Sequence, residues 1–140
     1  MIFRFIMYAM VGLTAEIMWT AFYDKVFSKV KGWDLTGTTY VWMIPIYGSI
    51  VFLFEPLHNH LSDFNWMLRG SVYMLGIFAI EYIAGFLLKK LGNCPWDYTD
   101  ETKLQLHGFI RFDYAPLWFT LGMALEPIHN LLIKLTPLVS

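Results

Sequence analysis

Four acidic positions within apolar stretches carry the chemistry that this sequence offers: Glu16, Glu55 with His58 three residues on, Glu81, and Glu126 with His129 three residues on. Carboxylates and imidazoles are side chains that can exchange protons and bind cations at physiological pH. An ionised carboxylate within hydrocarbon costs about 2.5–3.5 kcal/mol on insertion scales, so each acid needs a proton, a cation or hydrogen-bond donors. Three readings follow. Acids bonded across helices to Tyr, Trp or backbone groups lock helix pairing. Acids turned toward a common centre form an intramembrane site for a proton or cation, with Glu16 and Glu81 first and Glu55 and Glu126 next. The third is a metal centre, because one Glu from each of two helices plus Glu-x-x-His from each of two others is the ligand set of di-iron and di-manganese bundles. It would use Glu16, Glu55, His58, Glu81, Glu126 and His129, hold two iron or manganese ions, and make the chain a membrane enzyme. Under the first two readings no cofactor is expected.

Pro56 and Pro127 follow two of these acids directly. They disfavour helical geometry at Glu55 and Glu126 and so threaten the alignment of each acid with its histidine. Glu-Pro-x-His-Asn also reads as a helix end, Pro redirecting the chain and His and Asn bonding freed carbonyls. A metal site further requires its ligands at one depth, which holds if helix one runs to Lys31 and helix two begins near Thr38.

The elements that must position these residues are written twice. Glu55-Pro56-Leu57-His58-Asn59-His60-Leu61 returns as Glu126-Pro127-Ile128-His129-Asn130-Leu131-Leu132, five identities in seven at an offset of 126 − 55 = 71. Pro45 and Pro116 share that offset, Trp33-Asp34 is echoed by Trp96-Asp97, and Tyr8 with Glu16 repeats as Tyr73 with Glu81. One unit of about 1–64 and a second of about 65–140 are therefore expected within a single transmembrane domain, 1–140.

Composition fixes the medium. An apolar content of 57%, a mean hydropathy of +0.50 and only 15% charge point to lipid rather than water. The windows 5–23, 35–54, 70–88 and 114–133 each hold no more than one charged residue. Each is long enough to cross a hydrocarbon core, which takes about 20 residues of helix. Trp19, Tyr23, Trp42, Trp66, Trp96 and Trp118 cluster toward window ends, where amphipathic rings settle among headgroups. Arg4 opens the first window, and with no small-residue cleavage site behind it that window reads as a retained span. A lone cysteine, Cys94, excludes an intrachain disulfide, and a net charge of −1 without a basic run gives nothing to nucleic acid.

The expected fold is thus an all-α integral membrane protein of four transmembrane helices, two duplicated hairpins with a pseudo-twofold axis along the membrane normal. Counting Lys and Arg beside the spans gives Lys25, Lys29, Lys31, Lys89, Lys90, Lys103 and Arg111 on one side against Arg4, Arg69 and Lys134 on the other. That asymmetry puts the first and third connections in the cytoplasm. The third connection, about 92–112, reads as an interfacial loop: Pro95 and Asp97 set a turn, Trp96 and Tyr98 lie at the membrane surface, and Arg111 pairs with Asp113. Four short helices enclose little, so a homo-oligomer or a place in a larger membrane complex is expected beside the lipid bilayer itself.

Gly12-Leu13-Thr14-Ala15-Glu16, Glu81 through Gly85-Phe86, and Cys94-Pro95-Trp96-Asp97-Tyr98 together resemble the first span, third span and following loop of the transmembrane protein 229 family. Ile46-Tyr47-Gly48 and Tyr114-Ala115 extend the likeness over nearly the whole chain. The same architecture resembles bacterial type IV ABC-transporter (CmpB-like) membrane proteins. These resemblances imply a multi-pass membrane protein without an established activity; the duplicated spans and their acids are read here as those of a small binding, transport or accessory subunit. With no Walker-type phosphate loop in the sequence, any ATPase would be a separate chain.

Overall fold

A computed structural model of the chain describes residues 1–27, 34–92 and 94–138. It is mostly helical: α1 (Ile2–Phe27), α2 (Met43–Gly48), α3 (Ile50–Leu61), α4 (Trp66–Lys90) and α5 (Ala115–Leu135), with one short hairpin, β1 (Gln105–Leu106) and β2 (Ile110–Arg111), between α4 and α5. Two helices, α1 and α4, are long and apolar enough to cross a membrane. The chain divides into two compact units, residues 1–53 with 138–140, and residues 54–137.

In the first unit the chain returns along α1 in extended form before it becomes helical. Thr38 N–H donates to Thr20 Oγ1 at 2.9 Å, and Thr20 Oγ1 donates to the Thr38 carbonyl at 3.1 Å. Gly37 passes so close that a Cβ there would lie 2.0 Å from the Ile17 carbonyl oxygen, a gap open only to glycine. The start of helix two near Thr38 is therefore corrected: residues 37–39 lie against α1, and α2 starts at Met43. The window 35–54 is not one helix either. Ser49 interrupts it, its hydroxyl donating to the Ile46 carbonyl at 2.6 Å and competing with the backbone ladder. The expected extension of helix one to Lys31 lies outside the described residues, as do Lys29 and Trp33.

In the second unit, Asn65 caps α4 by accepting from Leu68 N–H at 2.9 Å. Helices α4 and α5 approach closely at two glycines. A Cβ on Gly70 would meet the Phe119 ring at 2.4 Å, and one on Gly122 would meet Tyr73 Cβ at 2.6 Å. Pro116 sits in the first turn of α5, where its missing N–H has no intrahelical partner to lose. Pro56 and Pro127, by contrast, lie inside α3 and α5, and both helices run on through them. The expected loss of helical geometry at Glu55 and Glu126 does not occur, so each acid keeps the histidine three residues on along its own helix face.

Candidate functional site: a carboxylate–imidazole cluster

Four of the six singled-out side chains meet in the second unit, and they meet crosswise. His58 Nδ1 lies 3.6 Å from Glu126 Oε1, and His129 Nδ1 lies 3.6 Å from Glu55 Oε1. The helical face that Glu-x-x-His creates on α3 thus serves the acid on α5, and the reverse. The two imidazoles meet edge to face with centroids 5.0 Å apart, and Phe54 stacks on His58 at 5.6 Å and 9°. Glu55 and His129 are only 8% and 4% exposed, so neither can rely on water for its hydrogen bonds.

Glu126 is the most heavily bonded of the four. Arg69 grips it with Nε to Oε1 at 2.8 Å and Nη2 to Oε2 at 3.1 Å, the two-pronged geometry that a planar guanidinium gives a carboxylate. The other guanidinium nitrogen donates to the Phe64 carbonyl at 2.8 Å, fixing the turn before α4. Tyr73 O–H donates to Glu126 Oε1 at 3.0 Å, and the same phenol oxygen lies 2.9 Å from His58 Nδ1. A phenol has one proton, which makes the direction of these bonds informative. With the Tyr73 proton on Glu126, His58 must donate from Nδ1; with Glu126 protonated and donating, Tyr73 can turn its proton to a neutral Nδ1. The two arrangements differ by the position of protons along one chain.

Glu81 and Glu16 are held elsewhere. Glu81 stands twelve residues beyond Arg69 on α4, about 18 Å along the axis. It accepts from Tyr98 O–H and from Trp118 Nε1, each at 3.2 Å. In the first unit Glu16 accepts from Thr39 Oγ1 at 2.6 Å and from Tyr47. Both acids therefore have neutral donors within their own units, the form expected of carboxyls that tie a helix to its neighbours.

The di-metal arrangement does not fit these residues. Glu81 is a dozen residues from the level of Glu126, and both Glu126 oxygens are taken by a cation, which repels a second one. No group of three or more His, Cys, Asp or Glu side chains that could hold a metal ion is found among the described residues.

The loop after α4 is built around Arg111. Its guanidinium takes Asp113 through Nε at 2.9 Å and Nη2 at 2.6 Å, takes Glu101 through Nη1 at 2.8 Å, and lies 4.2 Å over the Tyr114 ring. The hydrogen bond and charge of Arg111 hold the Asp113 carboxyl below the usual aspartate range, so this pair is intact at neutral pH. Trp96 Nε1 donates to the Phe109 carbonyl at 3.1 Å, and Asp97 accepts from Thr99 N–H at 3.0 Å to close the turn. Tyr98 joins this loop to Glu81.

Sequence reasoning left out Arg69 and Tyr73 as site residues. The signal was present: Arg4 and Arg69 are 65 apart, as are Tyr8 and Tyr73, so each repeat carries an arginine and a tyrosine ahead of its acid.

Set beside known proteins, residues 3–138 match the family model described as "Putative ABC-transporter type IV". No solved structure matches the chain.

Proposed function

The chain belongs to the ABC-transporter type IV family, and from that premise we propose that it is a small multi-pass membrane subunit that handles protons through the chain of side chains from Glu126 to Glu55. Acid, phenol and imidazole in contact are the parts from which intramembrane proton relays are made. The observation that carries the reading is Tyr73, whose single hydroxyl touches both Glu126 and His58 and so links an acid on α5 to the imidazole on α3. His58 meets the His129 ring edge to face at 5.0 Å, and His129 Nδ1 lies 3.6 Å from Glu55 Oε1. Arg69 at the other end holds both oxygens of Glu126.

Four spans are the arrangement that best suits the duplicated sequence, with the first and third connections in the cytoplasm. In favour of lipid, only 17% of the apolar window of α1 and 22% of that of α4 is buried, far less than a core helix of a water-soluble fold would cover. In favour of duplication, Phe5 packs on Gly48 in one unit and Phe119 on Gly70 in the other. Phe5 and Gly70 are 65 apart and Gly48 and Phe119 are 71 apart, so the same contact recurs with glycine and ring exchanged. Glu16 and Glu81 fasten the spans, and oligomers or a separate ATP-hydrolysing chain complete the machine.

The test is proton flux into proteoliposomes carrying a pH-sensitive dye, driven by a potassium diffusion potential. Tyr73→Phe removes one oxygen and preserves packing, and it is expected to lower flux on the order of tenfold or more. Glu16→Gln and Glu81→Gln are expected to leave flux within about twofold of the parent, since neither touches the chain of groups. Parent protein with no flux, or Tyr73→Phe at the parental rate, would remove the reading.

A further inference from the structure

We propose that the end of α4 and the β1–β2 hairpin form a binding site for a phosphate-bearing anion. A cavity of about 670 Å³ opens there, lined by Lys89 and Lys90 from the last turn of α4, Tyr82 about two turns before them, and Thr99, Gln105 and His107 from the loop. It lies apart from the Glu126–Glu55 cluster.

Two lysines meet in this cavity without a carboxylate within ion-pair distance among the described residues. Each ammonium is instead set over a ring: Lys90 Nζ lies 4.5 Å from the Phe86 centroid and Lys89 Nζ 5.3 Å from that of Phe109. Ring faces hold a cation in place while leaving its N–H donors to a ligand. Asp97, the acid that Lys89 acts on through space, already accepts two bonds from Thr99. Gln105 gives its carbonyl to Gly108 N–H at 2.7 Å, so its amide donors remain.

His107 adds an independent sign. Its backbone is left-handed, at φ 54°, the sole non-glycine with positive φ among the described residues. Such a conformation costs a side chain free energy that the following Gly108, at φ 75°, does not pay. The turn needs two left-handed positions, and asparagine or glycine would fill the first with less strain. With histidine there, Nδ1 meets Tyr82 O–H at 2.9 Å and the ring lines the cavity, leaving Nε2 to a ligand. Two ammoniums, an imidazole and an amide around one space match the oxygens of a phosphate.

Lys89 and Lys90 close an apolar span, which is headgroup level if that span crosses a bilayer, so the phosphate could belong to a lipid or be free in solution. Calorimetric titration of detergent-purified protein with dioctanoyl phosphatidic acid, and separately with inorganic phosphate, distinguishes the two; dioctanoyl phosphatidylcholine is the zwitterionic control. Saturable binding of at least one anionic probe is expected, weakened on the order of tenfold in Lys89→Gln/Lys90→Gln and regained in Lys89→Arg/Lys90→Arg. Binding of phosphatidic acid alone identifies a lipid headgroup, and equal binding of inorganic phosphate identifies a free anion. His107→Asn, which suits the turn, should keep the fold and still weaken binding. No saturable binding of either anion, or binding unchanged in Lys89→Gln/Lys90→Gln, overturns the proposal. That failure would leave the proton pathway untouched, because the two sites share no residue.

Discussion

Arg69→Ala is expected to destabilise the chain by about 3–5 kcal/mol, because it strands an acid that the fold has taken out of water. Glu126 has a side chain only 13% exposed, and Arg69 supplies bonds to both of its oxygens. Once Arg69 is gone, Tyr73 and His58 remain, and neither brings a permanent charge. The same arginine also ties down the Ser62 and Phe64 carbonyls in the turn before α4, so its loss loosens the entry to that helix as well. Removing both partners should be milder: Arg69→Leu/Glu126→Leu leaves no buried charge and is expected to recover most of the deficit. Unfolding by sodium dodecyl sulfate titration from mixed micelles measures both variants. A double variant as unstable as Arg69→Ala would mean that the pair is not what Arg69 contributes.

Gly122→Ala should cost about 1–3 kcal/mol, which is overpacking at a place that cannot yield. The new methyl would fall 2.6 Å from Tyr73 Cβ, an atom fixed to the backbone of α4, so the helices themselves must part. Parting them draws the Tyr73 hydroxyl away from Glu126 and His58, and proton flux should fall along with stability. Gly76→Ala on α4 is the contrast: a Cβ there meets nothing within 4 Å. It is expected to stabilise by about 0.4–1 kcal/mol through the unfolded chain and helix propensity alone. Equal effects at the two positions would show that close approach of α4 and α5 is not what Gly122 provides.

How far the sequence could be read depended on whether a feature was local or tertiary. The apolar runs that became α1 and α4 were legible because length and hydropathy suffice for them. The late start of α2 was not. It depends on Thr20 and Ile17 of α1 holding a return segment through Thr38 and Gly37, while that segment's own composition, rich in Thr, looks like the beginning of a span. Pro56 and Pro127 misled for a related reason, since propensity argues against helix there while the surrounding packing keeps it. The repeat placed a Glu-x-x-His on each of two helices, but not the meeting of Glu55, His58, Glu126 and His129 or their crossed pairing, because spacing along one helix cannot say which partner a side chain prefers. Glu81 parts from that cluster through depth along α4, which a list of acidic positions does not contain. His107 left no sequence signal: its role arises from a left-handed turn, and only the following Gly108 hinted at one.

Four crossings of the membrane, as proposed above, would put the first and third connections on one face and the second on the other. Site-directed labelling addresses this directly in a Cys94→Ser background carrying Thr36→Cys, Asp63→Cys or Asp100→Cys, one at a time. An impermeant maleimide added to intact cells and to inverted vesicles reports the side of each. The expected result is Thr36→Cys and Asp100→Cys reached from the cytoplasmic face and Asp63→Cys from the opposite face; Asp63→Cys and Asp100→Cys labelled from one and the same face would contradict it.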